Sequence, residues 1–132
     1  MNAEIIRTDF DEIARLSDGR SSGTDRYDTF LRSLVPTVAA DVLDVGCGLG
    51  RLTSALATDN RDVVGLDLSP EMIERARLNV RAAGRVSFVV GDFLALDFGS
   101  RQFDCVVCAA ALHLFDHWLW RYTIVWDKTH AA

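Results

Sequence analysis

The sequence lacks a signal-peptide pattern and any apolar run long enough to cross a bilayer. Its first residues, MNAEIIRTDFDE, contain no basic stretch followed by an apolar one. An excess of basic residues is also absent, because 14 Lys and Arg stand against 19 Asp and Glu, which gives a formal net charge of −5. Such a surface repels nucleic-acid phosphates and anionic lipids. We therefore expect a cytoplasmic protein with a small-molecule partner and no nucleic-acid or membrane partner.

Cysteine is scarce, and its odd count of three argues against a disulfide framework. Cys105 and Cys108 form a C-x-x-C pair, but they lie in FDCVVCA, which is typical of a buried strand. Residues three apart on a strand point to opposite faces, so the two thiols cannot hold one metal ion together. We expect both cysteines to be core residues.

Length and composition fit one globular domain. The chain has 132 residues, of which 49% are hydrophobic and 25% are charged, and these proportions are typical of folded domains. Within this single domain (1–132) we expect an N-terminal helical segment at 1–40, a core at 41–115 and an atypical tail at 116–132.

The core alternates between short apolar runs and helical patterns. Before it, apolar residues recur at helical spacing in residues 5–16 and 25–35, and the second stretch ends just before Pro36. Four strands are predicted at Val42–Val45, Val63–Leu66, Val86–Val90 and Phe103–Ala109. Strands that are apolar throughout and alternate with helices form a parallel sheet covered on both faces. The sequence thus predicts an α/β fold with a doubly wound, mainly parallel sheet.

Two helices are predicted between these strands. The first covers RLTSALAT, and its apolar face comprises Leu52, Ala55 and Leu56. The second begins with Ser69 as the N-cap and Pro70 at the first helical position. Its apolar stripe comprises Ile73, Ala76, Val80 and Ala83. Gly84 is expected to end it. After Ala109 the pattern favours a helix from about Leu112 that leads into a short strand at Thr123–Trp126.

VLDVGCGLGRL places three glycines directly after the first strand, where ligands bind in parallel sheets. Gly46 and Gly48 fit the dinucleotide motif G-x-G-x-x-G/A, but Arg51 occupies the third position, where a small residue must pack. Asp44 adds a carboxylate at the end of the strand, which would repel a pyrophosphate and attract an ammonium group. The loop therefore favours a ligand with an amine and a carboxylate over a dinucleotide.

LDVGCGLG resembles the first motif of class I S-adenosylmethionine-dependent methyltransferases, which have a Rossmann-like fold. VVGLDLSPEMIERAR resembles the second element of that family, VSFVVGDFLALDF the third, and FDCVVCAAALHLF the fourth strand with its following loop. The four elements occur in the family's order and cover Val42 to Phe115. Among these enzymes, the chain is most similar to the group that methylates small molecules.

The resemblance implies S-adenosylmethionine as the cofactor and assigns residues to it. Asp67 would bind the ribose hydroxyls, Asp92 the adenine amino group, and Ala109 would lie near the methionine portion. The cofactor-binding residues implied are Asp44, Gly46, Cys47, Gly48, Gly50, Asp67, Leu68, Met72, Gly91, Asp92, Phe93 and Ala109. Of these, Leu68, Met72 and Phe93 would border the adenine.

No catalytic residue is assigned firmly, because methyl transfer from a sulfonium depends mainly on orientation. In related enzymes a histidine near His113 often lines the acceptor pocket, so His113 is the candidate for acceptor contact or general base. His113 and His117 have the spacing of a metal pair on a helix, but no third ligand is evident and no metal site is predicted. Tyr27 could close over the donor. The tryptophans of the tail could line the acceptor pocket or an interface.

The family usually continues with a fifth parallel strand and a final antiparallel hairpin, whereas this sequence stops at HWLWRYTIVWDKTHAA. We expect a sheet that lacks the hairpin strands, and homo-oligomerisation, such as a dimer, through the uncovered edge. Two functions stay open: a methyltransferase acting on a small-molecule acceptor, or a truncated, non-catalytic domain that binds S-adenosylmethionine or S-adenosylhomocysteine. A nicotinamide dehydrogenase is disfavoured by Arg51.

Overall fold

The computed structural model describes residues 11, 26–57, 60–81, 85–109 and 124–127. In these ranges the helices are α1 (Arg26–Leu34), α2 (Arg51–Ala57) and α3 (Pro70–Asn79). The strands are β1 (Asp41–Val45), β2 (Asp62–Asp67), β3 (Arg85–Val90), β4 (Cys105–Cys108) and β5 (Ile124–Asp127). No helix in the described part of the chain is long and apolar enough to span a membrane.

The five strands form one sheet in the order β3-β2-β1-β4-β5. The pairs β1–β2, β2–β3 and β1–β4 are parallel, and Val45 of β1 aligns with Leu66 of β2 and with Cys108 of β4. The chain thus moves outward from β1 to β3 and then crosses to the other side of β1. This reversal confirms the predicted α/β fold with a doubly wound, mainly parallel sheet.

Two apolar clusters cover the two faces of the sheet. On one face, residues of α1 and α2 pack on the strands, and the fully buried members include Leu31, Val42, Leu56, Val63 and Cys105. On the other face, Leu96, Phe98 and Phe103 from the connection between β3 and β4 pack on a cluster that includes Cys108. Cys105 and Cys108 are buried free cysteines in different clusters, as the strand argument predicted.

The start of α3 matches its prediction, but its end does not. The Ser69 hydroxyl accepts the N–H of Met72 at 3.0 Å, and Pro70 opens the helix. The helix ends at Asn79, and Val80 is an extended C-cap (φ −84°, ψ 118°) whose N–H donates to the Ala76 carbonyl. Val80 therefore lies in the segment that follows the helix. Its side chain approaches the glycine loop and does not continue the apolar stripe. Gly84, the predicted stop, lies outside the described residues.

The predicted strand in the tail exists, one residue later than expected, at Ile124–Asp127. It pairs with β4 in antiparallel orientation, with Cys108 opposite Ile124. The family's usual fifth strand is parallel, and the reason for the difference is geometric: a parallel neighbour needs a full crossover, whereas an antiparallel one needs only a reversal of the chain. The predicted helix from Leu112 lies outside the described residues, and the division into segments 1–40, 41–115 and 116–132 stays a prediction.

A phenylalanine joins β3, β2 and the glycine loop. Phe88 is paired with Gly65 in the β2–β3 register, and its ring lies so close that a Cβ at Gly65 would stand 2.6 Å from it. A Cβ at Gly50 would stand 3.0 Å from the same ring and 2.7 Å from the Val80 side chain. Close packing of this ring therefore fixes the glycine loop against the sheet.

Candidate functional site

The carboxyl ends of the parallel strands meet at one edge of the sheet, which we call the carboxyl edge. The glycine loop leaves β1 there, and its first N–H groups, those of Gly46 and Cys47, donate to the Leu66 carbonyl at 2.8 and 3.0 Å. The N–H of Gly91, just after β3, donates to the Asp67 carbonyl at 2.9 Å. These bonds bring the three predicted ligand-binding segments after β1, β2 and β3 together, as the family resemblance implied.

The glycine loop has a backbone that favours glycine. Gly46, Gly48 and Gly50 have φ values of 73°, 55° and 83°, in the region that other residues adopt only at a cost. Around Gly48 the space is open, because a Cβ there would meet no atom within 4 Å. The loop therefore exposes backbone at Gly48, while Gly50 is packed inside.

Asp67 ends β2 and joins the loop to the next helix. Its Oδ2 accepts the N–H of Gly48 at 2.8 Å, and its Oδ1 accepts the N–H of Ser69 at 2.9 Å. The side chain is buried, with the residue 9% exposed. The N–H of Leu68 also bonds to this carboxylate, and because a carboxylate has about four lone-pair sites, acceptor capacity remains beyond these three bonds. The arrangement suits a ligand with neighbouring hydroxyl groups.

Burial dominates the electrostatics of Asp67. Desolvation raises the pKa of its carboxyl above the usual aspartate value, the N–H groups of Ser69, Gly48 and Leu68 oppose the rise, and the charge of Asp11 adds to it. The charged form of such a buried carboxyl is stabilised when a ligand donates hydrogen bonds to it. Perturbed carboxyls of this kind concentrate at functional sites.

Asp44, predicted to lie near the ligand, is fully buried at the end of β1 (2% exposed). Its Oδ2 accepts the hydroxyl of Thr53, a residue of α2, at 2.7 Å. The polar partner that a buried carboxylate requires is thus supplied at least in part by the protein itself. The sequence analysis placed Ala55, and not Thr53, on the buried face of this helix. In the structure Thr53 is buried in α2, whereas Ala55 is only half-buried.

Cys47 lies in the middle of the loop between two carboxylates. Burial, then the charges of Asp44 and Asp67, raise the pKa of its thiol well above the ordinary value. The thiol therefore stays protonated at neutral pH and is not a nucleophile. Its Sγ lies close to β2, since it would stand 3.0 Å from a Cβ at Gly65, and the assignment of Cys47 to the cofactor stays a prediction.

Asp92 and Phe93 follow β3, as the resemblance requires. The Asp92 Oδ1 accepts the N–H of Leu94 at 3.0 Å, and its carbonyl accepts the N–H groups of Ala95 and Leu96. Phe93, 38% exposed, lies in this turn, which follows the carboxyl end of β3. An exposed aromatic next to a carboxylate can border a heterocycle whose amino group the carboxylate accepts.

The other predicted site residues differ in their burial, and several lie outside the described part of the chain. Leu68 is half-buried directly after Asp67, and Ala109 follows β4 and packs on the first apolar cluster. Met72 is buried in the first turn of α3. Tyr27 lies in α1, whereas His113, His117, Trp118 and Trp120 lie outside the described residues. The assignment of all these residues to a cofactor or acceptor stays a prediction.

Sequence comparison identifies similar proteins of one kind. A model of the methyltransferase domain matches residues 42–124. The chain is 37% identical over 102 residues to an uncharacterized methyltransferase of Synechocystis sp., a match that covers 76% of this chain and 47% of that protein. It is 34% identical over 111 residues to the magnesium-protoporphyrin O-methyltransferase of Rhodobacter capsulatus, with 81% and 49% covered. The chain spans about half the length of the curated relatives it matches.

Among solved structures, the fold is similar to that of magnesium protoporphyrin IX methyltransferase from Synechocystis, crystallised with bound SAH. The TM-score is 0.65 over 83% of this chain and 59% of that one. Sequence identity in this superposition is 23%, so the likeness is one of fold.

Proposed function

The chain belongs to the methyltransferase domain family, and from this premise we propose that it transfers a methyl group from S-adenosylmethionine to a small-molecule acceptor. Membership confirms the resemblance seen in the four sequence elements. The observation that carries the proposal is the Asp67 carboxylate, which is held by the N–H groups of Gly48 and Ser69 beside a loop with open space.

S-adenosylmethionine is the cofactor that this family uses, as the resemblance implied. The residues present fit it: Asp67 has acceptor capacity for ribose hydroxyls, and Gly48 leaves room that a Cβ would fill. Asp92 and Phe93 would hold the adenine from the segment after β3. The anchoring bonds are formed within the protein, so these groups are preorganised before any ligand arrives.

When bound, the cofactor supplies a methyl group that is already activated on a sulfonium. The protein's contribution is then to hold the donor in line with an acceptor atom, since proximity and orientation can supply a large part of a rate enhancement. Asp67 and the glycine loop would fix one end of the donor. His113 remains the candidate for acceptor contact, and it would serve as a general base where the acceptor must lose a proton.

Two observations support a small-molecule acceptor. The relative from Rhodobacter capsulatus is a magnesium-protoporphyrin O-methyltransferase, and the formal charge of −5 disfavours nucleic acid.

Isothermal titration calorimetry with S-adenosylmethionine, S-adenosylhomocysteine and NAD tests the cofactor. We expect both sulfur ligands to bind and NAD to bind more weakly or not at all. Asp67→Ala should weaken binding by about 1 to 3 kcal/mol through the loss of charged hydrogen bonds. Absence of heat with both sulfur ligands, or tighter binding of NAD, would refute the proposal.

Turnover separates the two functions left open by the sequence. Incubation with S-adenosylmethionine and a panel of porphyrin and quinol acceptors should release S-adenosylhomocysteine, measured by mass spectrometry. Binding of both sulfur ligands without release by any acceptor would favour the alternative, a non-catalytic domain that binds them.

Homo-oligomerisation is a further part of the proposal. Within the described ranges, β5 pairs with β4 on one side only, and unpaired strand edges tend to associate. We expect light scattering at micromolar concentration to give a dimer or a larger species. A monomer at that concentration would contradict this part alone.

A further inference from the structure

A carboxylate from the N-terminal segment meets the start of α3, far away in the sequence. The Oδ1 of Asp11 accepts a hydrogen bond from the hydroxyl of Ser69, and the same oxygen accepts the N–H of Glu71 at 3.2 Å. The sequence did not single out Asp11, since no local pattern marks a contact across 58 residues.

At the start of α3, different N–H groups are bonded to different acceptors. Pro70 has no N–H, the N–H of Met72 donates to the Ser69 hydroxyl oxygen at 3.0 Å, and the N–H of Glu71 donates to Asp11. Helix starts leave several such donors without intrahelical partners. Asp11 therefore acts as a second cap, supplied by a distant segment, in addition to the Ser69 N-cap.

Ser69 links this cap to the cofactor site. Its N–H donates to Asp67 Oδ1, while its hydroxyl has one proton, and that proton goes to Asp11. A serine hydroxyl with its only proton committed in this way cannot donate to the Asp67 carboxylate. The Ser69 hydroxyl therefore uses none of the acceptor capacity of Asp67, which the N–H groups of Gly48, Ser69 and Leu68 use in part.

We propose that Asp11 is a positioning residue: by binding Ser69 and Glu71 it holds the turn after β2 in the geometry that cofactor binding needs. Docking of Asp11 and binding of the cofactor then stabilise the same arrangement, so each favours the other. The inference rests on the proposed function, because it assigns a role toward the cofactor that Asp67 would bind.

Calorimetry with S-adenosylhomocysteine on the full chain tests the proposal. Asp11→Ala should weaken binding about 3- to 10-fold. Asp11→Asn should bind within about twofold of the wild type, because both bonds use one oxygen that asparagine retains. Glu74→Gln, on the exposed side of α3, removes a charge from the same helix and should change nothing.

A double-mutant cycle shows whether Asp11 acts through Ser69. In a Ser69→Ala background, Asp11→Ala should cause a smaller loss than in the wild type, because only the bond to the Glu71 N–H is left to remove. Hydrogen exchange gives a readout that needs no variant: S-adenosylhomocysteine should slow exchange of the Glu71 amide in the wild type. This measurement tests the positioning role if Asp11→Ala does not fold.

Each outcome has a defined meaning. Unchanged affinity in folded Asp11→Ala, an equal loss in Asp11→Asn, or a Glu71 amide insensitive to the ligand would overturn the positioning role while leaving the proposed function intact. Failure of the wild type to bind S-adenosylhomocysteine would instead refute the proposed function, and the positioning role with it.

Discussion

At the amino ends of the parallel strands, polar side chains are used to join protein segments to each other. Arg61, 5% exposed, donates from Nε to the Ala39 carbonyl at 3.1 Å and from a terminal nitrogen to the carbonyls of Val35 and Pro36. These carbonyls lie between the end of α1 and the start of β1. The Arg61 side chain thereby closes the connection that leads into the sheet.

At the carboxyl edge, by contrast, a buried polar side chain is bonded to backbone that borders open space. Asp67 is bonded to the N–H groups of Gly48, Ser69 and Leu68, and no atom would lie within 4 Å of a Cβ at Gly48. Burial raises the pKa of Asp67, whereas the guanidinium of Arg61 has carbonyl acceptors around it. The difference predicts that the amino end determines stability and the carboxyl edge determines binding.

The largest effect is expected at the amino end. Arg61→Ala should lower the free energy of unfolding by about 3 to 4 kcal/mol, since a charged donor is lost and buried carbonyls are left behind. Urea denaturation measures it. Arg85→Ala, at an 88% exposed side chain on β3, should change stability by less than about 0.5 kcal/mol. A folded Arg61→Ala protein that binds S-adenosylhomocysteine much more weakly would contradict the assignment of stability to the amino end and binding to the carboxyl edge.

Two glycines of one loop separate stability from binding. Gly50→Ala should cost about 2 to 3 kcal/mol of stability, because its φ is 83° and a Cβ would meet Val80 at 2.7 Å and the Phe88 ring at 3.0 Å. Gly48→Ala should cost only about 1 kcal/mol, since no atom lies within 4 Å. Calorimetry should show the reverse order for ligand: Gly48→Ala weakens binding at least tenfold in the space beside Asp67.

Acidification should move stability and binding in opposite directions at Asp67. Its pKa is raised on folding, so its ionised form opposes the native state, and its contribution to stability is lost as pH rises through that pKa. Ligand hydroxyls prefer the ionised form, so affinity falls as pH drops, by up to about tenfold per unit. Among the described residues, the titratable groups that interact with Asp67 include Asp11 and the protonated Cys47.

The measurement is S-adenosylhomocysteine affinity and urea stability from about pH 7.5 to about pH 5, for the wild type and Asp67→Asn. The difference between the two proteins isolates this carboxyl from other titrating groups. Identical pH profiles would show that Asp67 does not carry the effect.

The smallest expected effect sharpens the comparison inside the carboxyl edge. Thr53→Val removes the hydroxyl that donates to buried Asp44 at 2.7 Å, and should lower stability by about 1 to 2 kcal/mol. Ligand affinity should change less than about threefold, if Asp44 acts through the fold. Thr37→Val, at an exposed threonine, is the matched control. A large loss of affinity in folded Thr53→Val would place Asp44 with Asp67 as a ligand group.

The sequence predicted what local patterns determine. Four strands and the cap at Ser69 and Pro70 follow from periodicity and capping, whereas the meeting of three segments at one edge was implied by the family resemblance. The end of α3 was misplaced by the apolar stripe. Val80 fits that stripe in sequence but packs toward Gly50, a contact that no local pattern encodes.

Contacts between distant residues were the part that the sequence could not predict. Arg61 and Asp11 look like ordinary charged residues until the fold brings them to carbonyls and to a helix start. Thr53 had a usable signal, because a carboxylate at the end of a buried strand needs a polar partner on the helix that covers it.

The Phe88 ring over Gly65 has a consequence for how this sequence can vary. No space remains for even a methyl group between the two positions, which stand opposite each other on β2 and β3. Their side-chain volumes are therefore coupled: a larger residue at 65 requires a smaller one at 88. The Phe88 ring also borders Gly50, so such a pair of substitutions on β2 and β3 would also change the side-chain packing against the glycine loop.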